Sequence, residues 1–405
     1  MKLHPLFTPL RGVIVVAAAS MVLAACGGSS SSSADSAADA SASAAPSTAV
    51  SADSSDPQAR LAELYNGTYT SAPTGGPKPI AGKKVWIISY LQAYSSSAST
   101  AQAASDAAEA MGWEATIFDA KGDPSQAVAG IQQAVAAKAD AVLSIYFDCE
   151  SVKAGLLTAK EAGVVTISDE APDCKDKPLF DYVVSYNPGT YSFNDGSFET
   201  YVMGWQAVTA DYIIAKSNGA AKTILVTQSD APSAVLQAEG FRTQFSTCPG
   251  CSIVAEVPTV GTDLGAKVQQ KVQQALLQHP EADSIAVPAD AYLTGGVIGA
   301  LKEAGFYGKI IIGGGEGSES VLPLVKDYPG FWGVSNLPTA WEGWQAMDAA
   351  NRIMQGQKAD PLSGIGFQIT DKEHNMPADL KPTVTRDGAP IDFPAQYKAA
   401  WAAAS

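Results

Sequence analysis

The stretch GDPSQAVAGIQQAVAAKADAVL, residues 122–143, decides the fold: residues 124–137 read as a helix, and the apolar run 141–145 reads as the short strand it feeds. The same step repeats on either side. Upstream lie an apolar, β-rich run at 84–89 (KVWIIS), an alanine-rich helix at 98–111 ending at Gly112, and a strand at 114–118. Downstream come a helix at 152–162 stopped by Gly163 and a strand at 164–168. Strands of about 5 residues separated by helices of about 11 to 14 mark βαβ units whose parallel sheet is buried on both faces. The right-handed crossover rule makes this a doubly wound layer. After a strand at 182–185 the pattern restarts, with helices at 193–216, 231–245, 266–278 and 293–304 and strands at 223–227, 253–257, 284–287 and 310–313. Segments near Val334 and Phe367 return as late strands or crossovers. Two successive α/β layers of similar size are expected.

The amino-terminal part has another composition. Lys2 and Arg11 precede an apolar run from 13 to 22, and Leu23-Ala24-Ala25-Cys26 has the layout of a lipobox, in which small residues admit a signal peptidase and the Cys26 thiol takes a diacylglycerol. The apolar run is too short to span ~30 Å of hydrocarbon comfortably. Residues 29–56 are nearly all Ser, Ala and Asp, which cannot bury enough apolar surface to offset chain entropy; residues 26–79 are expected to form a lipidated, flexible linker. Such a chain is expected outside the cytoplasm, attached to the outer face of the membrane by lipid alone. A formal net charge of -15 argues against nucleic acid and anionic headgroups as partners.

Apart from Cys26, the cysteines are Cys149, Cys174, Cys248 and Cys251, an even number in a chain placed in an oxidising setting, so two disulfides are expected. Cys248-Pro249-Gly250-Cys251 encloses a turn that brings its ends within bridging range. A redox-active C-x-x-C normally opens a helix after a strand, whereas here residues 252–257 read as a strand following the pair. His4, His279 and His374 lack ligand spacing to the cysteines, so no metal site is expected.

In open α/β sheets, ligands collect on loops beyond the carboxyl ends of strands. Those loops carry Tyr90, Tyr94, Tyr146, Asp148, Asp169, Glu170, Asp290 and Glu316. Carboxylates can accept from the hydroxyls of a small polar solute while rings stack on its C–H faces. Trp205, Trp332, Trp341 and Trp344 read as packing residues. No G-x-S-x-G, metal-ligand cluster or Walker A loop occurs, and the glycine-rich run at 313–318 (GGGEGS) lacks the lysine of a phosphate loop. No enzyme and no cofactor are expected.

The runs GDPSQAVAGIQQAVAAKADAVL and AKEAGVVTISDE (159–170), then GFRTQF (240–245), LLQHPEADSIAVPAD (276–290) and ALKEAGFYGKIIIGGGEGS (300–318), resemble in order the periplasmic ribose- and galactose-binding protein family. The resemblance implies a type I periplasmic binding protein: two Rossmann-like doubly wound lobes joined by a multi-strand hinge, closing on a ligand and delivering it to the permease and ATPase of an ABC importer. Lobe 1 would hold residues 80–185 plus 338–366, and lobe 2 residues 186–337 plus 367–405. Hinge segments would lie at 185–187, 336–337 and 367–370. Cys149 and Cys174, both just beyond strands that would be neighbours, fit a disulfide in this layout.

The family's site carries over unevenly. Its aspartate after the fourth strand falls near Asp169 and Glu170, but the adjoining arginine has no counterpart. Ala289-Asp290 stands for its Asn-Asp pair, Glu316 for its turn aspartate and Asn336 for its hinge glutamine. A second arginine is missing near Val235 and Gln237, and Tyr90 and Tyr94 replace paired phenylalanines. Without arginine forks to grip ring oxygens and hydroxyls, the set suits a sugar-like solute, a polyol or a cationic or aromatic small molecule, and disfavours an anion. The sequence therefore reads as a monomeric substrate-binding lipoprotein. A ligand sensor feeding a membrane receptor is the other use of such a chain; a repressor would need a DNA-binding helix pair where the lipid signal stands.

Overall fold

The computed structural model describes residues 56–360 and 363–403, so Cys26 and its signal lie outside the described residues. The first element is a helix, α1 (Pro57–Asn66), within the stretch expected to be a linker. Asp56 caps it, Pro57 opens it, and Arg60, Leu61 and Leu64 are buried. The linker expectation therefore fails from residue 57 onward, because these side chains have a surface to pack on.

The first sheet comprises β1 (Lys84–Ser89), β2 (Glu114–Asp119), β3 (Ala141–Ile145), β4 (Val165–Asp169) and β5 (Tyr182–Val183), all parallel in the order β2-β1-β3-β4-β5. Its crossovers are α2 (Ser95–Ala110), α3 (Pro124–Ala136) and α4 (Cys149–Glu161). Asp123 caps α3 through the Ser125 amide, with proline in the first turn where a missing N–H costs nothing.

The second sheet has the order β11-β10-β9-β8-β6-β7. It is built from β6 (Lys222–Gln228), β7 (Ser252–Thr259), β8 (Ser284–Val287), β9 (Ile311–Gly314) and β10 (Trp332–Ser335), all parallel, with β11 (Ile369–Thr370) antiparallel to β10. Between them run α5 (Phe198–Lys216), α6 (Pro232–Phe245), α7 (Ala266–Gln278), α8 (Asp290–Tyr292), a π turn (Leu293–Val297), α9 (Ile298–Glu303) and α10 (Leu322–Asp327). The single helix expected at 293–304 is broken, because Gly295 and Gly296 leave helical dihedrals. Helix α5 starts at Phe198, capped by Ser197, and not at 193. The fold is α/β, with two lobes each built on a largely parallel sheet.

Two late helices complete the chain. Helix α11 (Thr339–Met354) packs in lobe 1, and α12 (Phe393–Ala403) stacks on it through Trp344 and Trp401 at 5.7 Å. Trp401 also donates to Asp348. The tail was expected in lobe 2. Residues 369–371 do sit there, Asp371 pairing with Lys216 of α5, but α12 belongs to lobe 1.

Residues 67–79 form a strap instead of a tether. Helix α1 lies on lobe 2, where Arg60 pairs with the buried Asp211. The chain then crosses the hinge, Thr68 and Thr70 donating to Phe367 and Gly364 at 2.9 and 2.8 Å, and ends on lobe 1, where Asn351 donates to Pro77 and Arg352 to Gly75. The other crossings pair with one another: Asn187 donates to Ile365 at 2.8 Å and Asn336 to Gln368 at 2.9 Å. Tyr186, Tyr201 and Phe367 stack at this joint. Both disulfides form, Cys149 to Cys174 and Cys248 to Cys251. No helix among the described residues is long and apolar enough to cross a membrane.

Candidate functional site

The carboxyl ends of β1, β3 and β4 bring three tyrosines and two carboxylates together. Tyr146 meets Tyr90 and Tyr94 edge-on, at 6.4 and 6.1 Å between centroids. Tyr146 (φ 64°) and Glu170 (φ 55°), one residue past β3 and β4, both adopt left-handed backbone, which is costly for non-glycine residues and clusters at functional sites. The Tyr146 amide donates to the Asp169 carbonyl, tying the two turns together.

Asp169 is wholly buried, and neither of its carboxylate oxygens has a partner. Glu170 Oε1, Glu342 Oε2 and the Tyr146 hydroxyl are likewise buried and unpartnered. Glu342, from the first turn of α11, lies close enough to Glu170 for the two buried carboxyls to repel each other when both are charged, which favours one proton between them. Its Oε1 accepts from Tyr186 at 3.2 Å. Burial, compounded by mutual repulsion, raises the pKa of Asp169 and Glu342, and burial takes Glu170 to about 7. No ion pair to these three carboxylates occurs among the described residues. Glu342 carried no signal in the sequence, since an acidic residue in a helix's first turn ordinarily serves the dipole.

Lobe 2 answers with Glu316. Its Oε1 accepts from the hydroxyls of Tyr94 and Ser96, both at 3.1 Å, so two hydrogen bonds cross the cleft. Burial and the neighbouring Asp290 raise Glu316 to about 8. Asp290 itself clasps the glycine-rich turn: it accepts from the Glu316 amide at 2.6 Å, from Gly317 at 3.4 Å and from Ser318 at 2.8 Å. A side chain at Gly315 would strike this carboxylate at 2.5 Å. The run at 313–318 thus shapes an acid-on-acid turn.

The other expected contacts fall elsewhere. Asp148 caps α4 through the Ser151 amide at 3.1 Å. Asn336 lines a groove of about 930 Å³ beside the hinge, bounded also by Ser99, Glu316, Trp341 and Phe393 and containing none of Tyr90, Tyr146, Asp169 or Glu170. The polar chemistry sits with the latter residues, so the acidic cleft and not this groove is the candidate site. The four named tryptophans are all buried packing residues. Cys149, Asp173 and Cys174 lie within metal-binding distance, but the sulfurs are joined to each other.

Residues 88–358 match the family model described as the periplasmic binding protein domain. No curated protein matches the chain. Solved structures do. An ABC sugar transporter subunit from Rhodobacter sphaeroides 2.4.1 is 19% identical over 73% of this chain and 99% of its own, with a TM-score of 0.59. A solute-binding protein from Actinobacillus succinogenes 130z with bound D-allose is 16% identical over 72% and 98%, TM-score 0.62. A periplasmic ribose ABC transporter protein from Conexibacter woesei is 19% identical over 74% and 95%, TM-score 0.61.

Proposed function

We propose that this chain, which belongs to the periplasmic binding protein domain family, is the solute-capturing subunit of an ABC-type importer, closing its two lobes on one small polar molecule and presenting it to a permease and its ATPase. The family makes it a solute-binding protein and not an enzyme. The observation that carries the reading is the cleft itself: Tyr94 and Ser96 of one lobe reach Glu316 of the other, and Asp169, Glu170 and Tyr146 bury unpartnered polar atoms in the same lobe as Tyr94. Buried polar groups without partners are costly, and a solute that supplies the partners recovers that cost on binding. Similar folds hold a sugar such as D-allose, which supports a sugar, polyol or chemically related cargo. The lipobox ending at Cys26 supports a lipid anchor that keeps the trap beside its importer.

Tyr90, Tyr94, Tyr146, Asp169, Glu170 and Glu316 are the proposed contacts. Thermal denaturation against a panel of sugars, polyols, nucleosides and amines tests the reading. A cargo held at about 100 times its Kd stabilises the chain by ~2.7 kcal/mol and lowers the radius of gyration in solution scattering. Hydrolysis of a panel member by the protein would overturn it.

A further inference from the structure

This buried cluster has an imbalance of donors and acceptors. Four of its unpartnered atoms, Asp169 Oδ1 and Oδ2, Glu170 Oε1 and Glu342 Oε2, are carboxyl oxygens, against the single hydroxyl of Tyr146. A sugar hydroxyl brings one donor and two acceptor sites, so a neutral polyol would satisfy these oxygens while adding acceptors that need donors in turn. An alkylammonium brings donors and no acceptor. Sugar sites normally offer arginine forks for the surplus acceptors, and no ion pair to these carboxylates exists among the described residues. The charge count points the same way: Asp169, Glu170 and Glu342 are respectively 0%, 5% and 0% exposed and repel one another. Three rings cluster at this end of the cleft, Tyr146 set edge-on to Tyr90 and Tyr94, and aromatic faces attract cations.

We propose that the solute carries a positively charged nitrogen, seated against Asp169 and Glu170 and enclosed by the rings of Tyr90, Tyr94 and Tyr146. Glu170 and Glu342, sharing one proton, carry a single negative charge between them, which the bound cation offsets. The inference rests on the solute-capture reading and narrows it to a ligand class.

Matched probes test it in the full chain by thermal shift and titration calorimetry at pH 7: galactosamine against galactose, choline against ethylene glycol, putrescine against 1,4-butanediol. At least one amine is expected to raise the midpoint by several degrees at a concentration where its neutral counterpart does nothing. Asp169→Asn and Glu170→Gln each weaken that amine about 10- to 100-fold, the size of a hydrogen bond to a charged group. A neutral probe that binds as tightly as its amine overturns the inference and leaves solute capture standing; a panel in which no amine binds overturns it as well. A second readout needs no ligand. Since Asp169 has no partner in the protein, Asp169→Asn, verified as folded by circular dichroism, raises the midpoint of the ligand-free chain at pH 8. A fall of several degrees would make Asp169 a structural group and overturn the inference.

Discussion

Glu316 accepts hydrogen bonds from the hydroxyls of Tyr94 and Ser96 on the other lobe. Burial raises the pKa of Asp290 beside it, opposed by the three backbone amides that Asp290 accepts, and Glu316, pushed up to about 8, keeps a proton at neutral pH. A neutral carboxyl can sit in a closed cleft at far lower cost than a carboxylate. Glu316→Ala strands the hydroxyls of Tyr94 and Ser96 and removes both cross-cleft bonds; the closed form should lose about 1–3 kcal/mol, seen as a larger radius of gyration in solution scattering. Tyr94→Phe removes one bond and should show a smaller expansion. Glu316 and Tyr94 were legible in the sequence because they follow strands. Asp290 and Asp148 follow strands too, yet one clasps a turn and the other caps a helix. Which amides need an acceptor depends on how distant segments fold, and local sequence does not carry that. Ser96 and Glu342 were hidden for the same reason.

At the scale of elements, period and length placed most strands and helices. The bounds Ala141–Ile145, Ala266–Gln278 and Ser284–Val287 coincide with those read from the sequence. The departures arise where one element approaches another. Helices α5 and α6 touch at Gly240, where an added Cβ would lie 2.0 Å from the Met203 carbonyl oxygen. Backbone cannot yield there as a flexible side chain would. Gly240→Ala should therefore cost about 1–3 kcal/mol or more despite its better helix propensity, measured by urea denaturation. Helices α1 and α12 escaped the sequence reading because their partners, α5 and α11, lie some 150 and 50 residues away in the chain. Arg60 meets Asp211 on lobe 2 and Trp401 meets Asp348 on lobe 1, contacts set by the tertiary fold and not by the local run of sequence.

Over the whole molecule, the buried acids set a pH response. Glu170 at about 7 faces Asp169, Glu342 and Tyr146, and Glu316 at about 8 faces Asp290, Tyr94 and Tyr146. Both stand above the ordinary glutamate value of 4.5, so the folded chain keeps protons that the unfolded chain has already released. Folding stability is thus fully present below about pH 4.5 on account of these groups and declines as pH rises toward 7 and 8. The loss should amount to a few kcal/mol by denaturant titration across pH 5 to 8.5, and the double variant Glu170→Gln, Glu316→Gln should flatten it.

The strap and the final helix place the two ends of the described chain on opposite bodies of one hinge: α1 rides with α5, and α12 with α11. On the solute-capture reading, exposed positions Ala59 and Ala402 move apart or together as the cleft opens or shuts. A donor and acceptor dye attached there would make the protein its own optical gauge, reporting occupancy without an inserted fluorescent domain or a label near the cargo.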